Sequence, residues 1–461
     1  MSVAYRSAVG EALASSWRFA GLHASADGSL VHAALAGPAG ELRLETVVVE
    51  NGRVPTIVDL TAAAGWDERE TADLYGVGFD GHEPLRPLVA HDVDLSHWTV
   101  PVHGGDAYQV AVGPIHAGII ESGHFRFQVV GDRILNVDAR LFYKHRGLEQ
   151  AAEGHTLDEG LAYAQRACAA CAVSNSVAYA HACEDALGLR PTPDLARART
   201  ILLELERVWN HLNDIAAICA GTGLAAGNTY FAALTERARR LNMQLAGHRF
   251  LFNTVRVGGS DLTLSAAAAA AAQAELASLA SDAKSGWREL LFNASFQDRL
   301  PDIGTITAAE ADALGTVGPA ARASGLANDT RTNATLLAYD GFAPVAPKRA
   351  AGDVQARVEQ RAVELLQTFD LLDSLLDRQL QAGTAEPGSQ EQSIGISQVE
   401  SPRGATVCVV ERQHSRLARL HLRTGSYANW PTVAHAAAGN LLPDFPLINK
   451  SFELCYACAD R

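Results

Sequence analysis

Residues 192–212, TPDLARARTILLELERVWNHL, decide the fold class. Thr192-Pro193-Asp194 supplies a capping hydroxyl, a proline suited to a first helical turn and an acid near the helix start. Ile201, Leu205, Val208 and Leu212 then recur at spacings of three and four, which places them on one face of a long amphipathic helix. Such a face must be buried against other elements. Working outward, Ser265–Ala283 and Asp353–Leu380 predict two more long helices, and the reading is helical from Thr156 to about Gly383. Upstream, Phe125, Phe127 and Val129 alternate with Arg126 and Gln128. A Gly131-Asp132 turn follows, and Ile134, Leu135 and Val137 return as the second arm of a hairpin. Strands come back at Ala405–Glu411 and Ala418–Leu422. The expected class is α+β: a large, mainly helical bundle with small flanking sheets.

The first hundred residues read differently. Leu42–Val49 and Thr56–Leu60 carry β-branched residues around an Asn51-Gly52 turn and predict a small antiparallel sheet packed on helices, an α/β unit of its own. The stretch from His82 to His103, broken by Pro84, Pro87 and Pro101, predicts an exposed linker. The division expected is therefore residues 1–98 and 99–461, with no internal repeat. With 48% apolar and 20% charged residues the chain can build full cores. A net charge of −14 argues against nucleic acid as a partner, because phosphate binding needs clustered Lys and Arg. The alanine tract Ala266–Ala272 is a helix former rather than a membrane span, and Met1–Arg6 lacks a signal-peptide pattern, which predicts the reducing cytoplasm.

In that compartment seven cysteines suggest metal or redox chemistry before disulfides. Cys168-Ala-Ala-Cys171 and Cys455-Tyr-Ala-Cys458 supply four thiolates, a soft set suited to zinc, nickel or an iron–sulfur centre. Zinc ribbons separate their pairs by roughly 15–20 residues, whereas most of the bundle intervenes here. Structural zinc, another metal and unrelated cysteines all stay open on spacing alone. Cys183, Cys219 and Cys408 sit singly among apolar residues and read as inert buried thiols. Gly76-Val-Gly78-Phe-Asp-Gly81 matches the dinucleotide fingerprint literally, but His82-Glu-Pro84 stands where a helix should open. Arg403, on a Pro-Gly turn before a strand, is either a solvated loop residue or a guanidinium fixed over a reactive centre. Glu121, between His116 and His124, is either a surface carboxylate or a proton relay.

Several longer motifs, in order, carry a resemblance. They are Trp66-Asp-Glu-Arg-Glu70 through Asp73-Leu-Tyr-Gly76 to Leu85-Arg86; Gly113-Pro-Ile-His116; Lys144-His-Arg-Gly-Leu-Glu149; Arg166-Ala-Cys168-Ala-Ala-Cys171; Val317-Gly-Pro-Ala-Ala-Arg-Ala-Ser-Gly325 with Asp329-Thr-Arg331; Tyr427-Ala-Asn-Trp-Pro431; and Cys455-Tyr-Ala-Cys458-Ala-Asp-Arg461. Over nearly its whole length the chain resembles the large, catalytic subunit of group 4 membrane-bound nickel–iron hydrogenases of the formate hydrogenlyase and hydrogenase-4 type, with a small complex I subunit fused at the N-terminus.

The resemblance implies a Ni–Fe centre, its iron carrying diatomic ligands. Cys168 and Cys455 would be terminal on nickel, Cys171 and Cys458 would bridge the metals, Glu121 would relay protons and Arg403 would stand over the open site. It also implies a cluster-bearing small subunit as partner, since the paired cysteines leave none for an iron–sulfur cluster here. Further membrane-arm and ferredoxin-like subunits are implied, with a cytoplasmic place on the inner face of the cell membrane, reached only through partners. The chain departs from the family's pattern at Ala169-Ala170, at Asn175 in place of a histidine, and at Glu453-Leu454 in place of Asp-Pro. Family chains often carry a C-terminal extension that is removed after metal insertion, and this one ends at Arg461. The alternatives are a hydrogenase-derived, quinone-site-like subunit of a respiratory complex without H₂ chemistry, and a zinc-stapled scaffold.

Overall fold

The computed structural model describes residues 2–94, 98–116, 121–345 and 349–461. Helix α1 (Ser2–Ala14) lies on an antiparallel sheet of β1 (Arg18–Ala24), β2 (Leu30–Ala36) and β3 (Leu42–Val48). The pair β4 (Arg53–Pro55) and β5 (Gly78–Asp80), parallel to one another, flank α2 (Gly65–Tyr75). Tyr5, Val9, Leu22, Val31, Val54, Ile57 and Phe79 make a core belonging to this unit alone. The strand expected over Thr56–Leu60 does not form. The Glu68 carboxylate accepts the Thr56 hydroxyl (2.6 Å) and the Ile57 N–H (2.8 Å), and the Ile57 carbonyl accepts from Leu60 and Thr61, which turns the chain away from the sheet. Gly76 closes α2 in the left-handed conformation, and a strand follows it, so the glycine-rich match opens no helix.

The stretch from His82 onward is a strap rather than a free linker. Asp73 accepts the N–H groups of Leu88, Val89 and Ala90 (2.7, 2.7 and 3.1 Å), and Leu88 and Trp98 are buried, Leu88 within the core of the second unit. Residues 95–97 of that stretch lie outside the described residues.

The hairpin read from the alternating phenylalanines is β7 (His124–Val130) and β8 (Arg133–Arg140), joined at its edge by β6 (Tyr108–Val112). Behind it stand α3 (Leu157–Arg166), α4 (Ala172–Leu187), α5 (Pro193–Gly221), α6 (Ala225–Ala246), α7 (Ala266–Leu291) and α8 (Val354–Leu375). α5 is the axis of the bundle and is buried along most of its 29 residues. Thr192 precedes it but does not cap it: its hydroxyl donates to the Thr384 carbonyl (2.7 Å), while Pro193 occupies the first turn. α8 stops at Leu375, short of the expected Leu380, because Arg197 takes the carbonyls of Leu375, Arg378 and Gln379 (2.7, 2.8 and 2.9 Å). The third sheet, β9 (Ile394–Ser401), β10 (Gly404–Gln413) and β11 (Arg416–Arg423), packs on α4 and leads into α9 (Gly425–Ala437), α10 (Phe445–Phe452) and α11 (Tyr456–Asp460). No helix among the described residues is long and apolar enough to cross a membrane.

Candidate metal centre

Cys168 opens a single 3₁₀ turn, Ala169–Cys171, that runs directly into α4. The start of α4 has no side-chain cap of its own. Glu206 of α5 fills that role, accepting the N–H groups of Val173 (2.6 Å) and Ser174 (3.1 Å) and the Ser174 hydroxyl. One turn further along α5, the Asn210 amide donates to the Ala170 carbonyl (2.8 Å), so the turn between the two cysteines is held at both ends. The second pair follows Glu453, whose left-handed conformation (φ 49°) ends α10 and swings the chain inward. The Cys455 N–H donates to the Ser426 hydroxyl (3.0 Å), and the Thr424 hydroxyl donates to the Cys458 carbonyl (3.1 Å). The four sulfurs meet within 4.8 Å of one another, and all four cysteines are free thiols. Hydrogen bonds from the other three thiols pull Cys455 well below the usual cysteine range, and the same crowding pushes Cys171 and Cys458 up. A soft cation among them would allow all four to ionise together.

Arg403 stands beside this cluster, buried, on the turn between β9 and β10. Its guanidinium donates to Asp214 and, at 3.1 Å, to the Asn210 carbonyl oxygen. Burial disfavours its charge, but Asp214 and the sulfurs of Cys455 and Cys171 together hold it firmly protonated. Asp214 also accepts from Arg361 (3.0 Å), whose other arm donates to the Phe452 carbonyl (2.8 Å) just before the second cysteine segment. Against burial, which pushes it up, Arg403, His211 and Arg361 hold the Asp214 carboxyl down to about 2. Behind Arg403, Glu400 accepts from Arg322 (2.8 Å) and Thr330 (2.9 Å), which ties the 317–331 motif to the arginine turn.

Glu121 does not pair with the histidines that flank it in sequence. Its carboxylate accepts the Ala457 N–H (2.6 Å) inside the second cysteine motif, and burial, with Cys455 and Asp460 adding to it, pushes its pKa up. His124 instead contacts the Gly113 carbonyl at 3.2 Å. Asn175, one turn after Cys171, is buried with neither amide atom paired. Glu453 is pushed up to about 8 by burial and by neighbouring Asp214. Cys183, Cys219 and Cys408 are buried thiols held protonated chiefly by burial, Cys219 at about 12. A cavity of about 500 Å³ between the N-terminal unit and the 312–330 segment is lined by none of the paired cysteines.

The supporting residues were not found in the sequence. Glu206, Asn210 and Asp214 follow one another at intervals of four on α5, a polar stripe opposite the apolar one. Three such residues inside a helix with so few exposed positions are the signal that reading for apolar periodicity passes over.

Residues 222–395 and 384–461 match the family described as respiratory-chain NADH dehydrogenase, 49 Kd subunit, and residues 26–101 match that of the 30 Kd subunit. Formate hydrogenlyase subunit 5 of Escherichia coli (strain K12) is 30% identical over 451 residues, covering 88% of this chain and 77% of its own length. Hydrogenase-4 component G of the same organism is 28% identical over 443 residues, covering 90% and 77%. A chain from the structure of the membrane-bound sulfane sulfur reductase, an archaeal respiratory membrane complex, superposes with a TM-score of 0.70 at 25% identity, over 77% of this chain and 99% of that one.

Proposed function

Since the chain belongs to the family of formate hydrogenlyase subunit 5 and hydrogenase-4 component G, oxidoreductase subunits built on the complex I 49 Kd and 30 Kd folds, we propose that it is the catalytic subunit of a complex I-related hydrogenase. The observation that carries this reading is the convergence of four free thiols from opposite ends of the bundle within 4.8 Å. The donor set fits a Ni–Fe centre: Cys168 and Cys455 would bind nickel alone, and Cys171 and Cys458 would be shared with iron. Such a centre, when bound, supplies the soft Lewis acid at which H₂ is cleaved or formed.

The remaining work falls to side chains of this chain. Arg403 is kept charged and oriented by Asp214 and Asn210, so its positive field acts where charge separates as a proton leaves or joins H₂. Glu121, anchored on Ala457 and raised in pKa by burial, accepts and returns that proton. Cys183, Cys219 and Cys408 fall short of the four thiolates an iron–sulfur cluster takes and are held protonated, so electrons would pass to such a cluster in a small partner subunit. Ile115, 84% exposed beside His116, whose ring lies 6.1 Å from that of Tyr456, offers that partner an apolar contact next to the second cysteine motif. Residues 1–98 would form the accessory docking unit and 99–461 the catalytic one, held at the inner face of the cell membrane through membrane-arm and ferredoxin-like partners.

A second reading, a hydrogenase-derived subunit of a respiratory complex without H₂ chemistry, is favoured by one observation: the structural neighbour is a sulfane sulfur reductase. Elemental analysis of the purified assembly together with H₂/D⁺ exchange separates the two. Nickel together with a larger amount of iron, the excess belonging to the cluster of the partner subunit, and exchange activity are the expected result. Zinc alone, or no exchange in a nickel-loaded assembly, would overturn the hydrogenase assignment.

A further inference from the structure

Among the described residues a second group of potential metal ligands lies away from the cysteines, and nothing derived above uses it: His23, His32 and Glu411. His23 of β1 and His32 of β2 are directly opposed in the sheet register, which puts both imidazoles on one face, with ring centroids 5.2 Å apart. Glu411 of β10 reaches them from the second unit. Its Oε1 is 3.7 Å from His23 Nε2 and 3.7 Å from His32 Nε2. Metal bonds of about 2.0–2.1 Å in tetrahedral array place ligand atoms roughly 3.4 Å apart, so Glu411 needs shifts of a few tenths of an ångström and the three ligand atoms, all within 4.8 Å of one another, are close enough to draw in on one ion.

The polar atoms concerned are also unpaired. His23 and His32 are 2% and 1% exposed, yet both nitrogens of His23, Nε2 of His32 and Oε1 of Glu411 have no hydrogen-bond partner. Buried polar groups are ordinarily satisfied, and unpaired atoms converging on one point call for a shared partner. The surroundings suit a cation ligand set. His32 Nδ1 is held by the Thr46 hydroxyl at 2.8 Å, which orients the ring and leaves Nε2 facing the group. His421 stacks on His23 (4.8 Å, 16° between planes), so it braces that ring instead of converging with it. The nearby Arg419 guanidinium is matched by Glu149 (3.1 Å) and Glu153 (3.9 Å).

We propose that His23, His32 and Glu411 bind a divalent transition-metal ion, zinc by their donor set, which staples the N-terminal sheet to the β9–β11 sheet of the catalytic unit. Three protein ligands leave the fourth position to water.

The test uses the full chain, stripped with a chelator and reloaded with Co²⁺ or Zn²⁺. Besides any thiolate-bound cobalt, one equivalent of Co²⁺ should show visible ligand-field bands without thiolate charge transfer, and it should persist in a Cys168→Ser/Cys455→Ser variant. Zinc absorption-edge spectroscopy of that variant should show nitrogen and oxygen ligands only. His32→Asn and Glu411→Gln should each weaken this equivalent by about tenfold or more while leaving the thiolate-bound signal, which serves as the folding control. Cobalt bound only through thiolate, or a nitrogen–oxygen signal unchanged in both variants, would overturn the proposal.

Discussion

At the scale of single residues, Asp214 carries the most. Two buried guanidiniums, Arg403 and Arg361, share its carboxylate. Asp214→Asn leaves both without a full counter-charge, a change expected to cost about 3–5 kcal/mol, measurable by denaturant unfolding. The sign of the pH effect follows from its depressed pKa. Held at about 2 in the fold, the carboxylate contributes stability that is complete above its unfolded value near pH 4 and is lost as pH falls through about 2. Stability should therefore decline between pH 4 and 2, and Asp214→Asn should flatten that slope. For catalysis, Arg403→Lys should retain nickel while H₂/D⁺ exchange falls about tenfold for each 1.4 kcal/mol of lost transition-state stabilisation. Glu121→Gln should block exchange with solvent and leave the metals in place. Exchange at the wild-type rate in both variants would remove these residues from the mechanism.

At the scale of elements, the structure separates helix starts that look alike in sequence. Thr156 makes a reciprocal capping box with Glu159, so Thr156→Ala should cost about 1 kcal/mol. Thr192 caps nothing, and Thr192→Ala should cost only its exposed bond to Thr384, at the low end of about 0.5–1.5 kcal/mol. Thermal unfolding of the two variants ranks them. What was legible in the sequence follows the same logic. The 124–140 hairpin alternates because its sheet has a wetter and a drier face, and α5 declares itself through four apolar residues. β1 and β2 give no such pattern, since α1 covers one face and Ala20, Ala34 and Ala36 pack with Val407 on the other, so their residues are buried almost without interruption. The four thiols are legible as a set and the resemblance implies their meeting, which the structure shows, but the means of that meeting is not legible. It depends on Glu206, Asn210, Ser426 and Thr424, whose contacts are tertiary.

At the scale of the whole molecule, the N-terminal residues and the rest of the chain share apolar contacts, Ala20, Ala34 and Ala36 on Val407, and also buried charge. Arg423 donates to Asp67 (2.9 Å), and Arg461 bridges Glu70 (2.6 Å) and Glu149 (2.6 Å). A chain starting at residue 99 keeps both arginines and loses two of their carboxylates. It should be markedly less stable than the full chain, whereas residues 1–98 and 99–461 co-expressed as separate polypeptides should copurify. Size-exclusion chromatography of the pair and unfolding of the larger piece alone check this. A larger piece as stable as the full chain would mean that these contacts are incidental.

The stripe on α5 has a mechanical meaning. Glu206 fixes one cysteine arm, Asn210 fixes the same arm and the arginine, and Asp214 fixes the arginine and, through Arg361, the start of the other arm. One rigid spar thus carries these three mountings, and thermal breathing of the bundle displaces them together, so their mutual spacing is kept even as the whole assembly drifts. The weakness of such a frame is angular: a single residue inserted between Asn210 and Asp214 would rotate the lower mounting by about 100° and misalign arginine and thiols at once, with no other part of the protein changed.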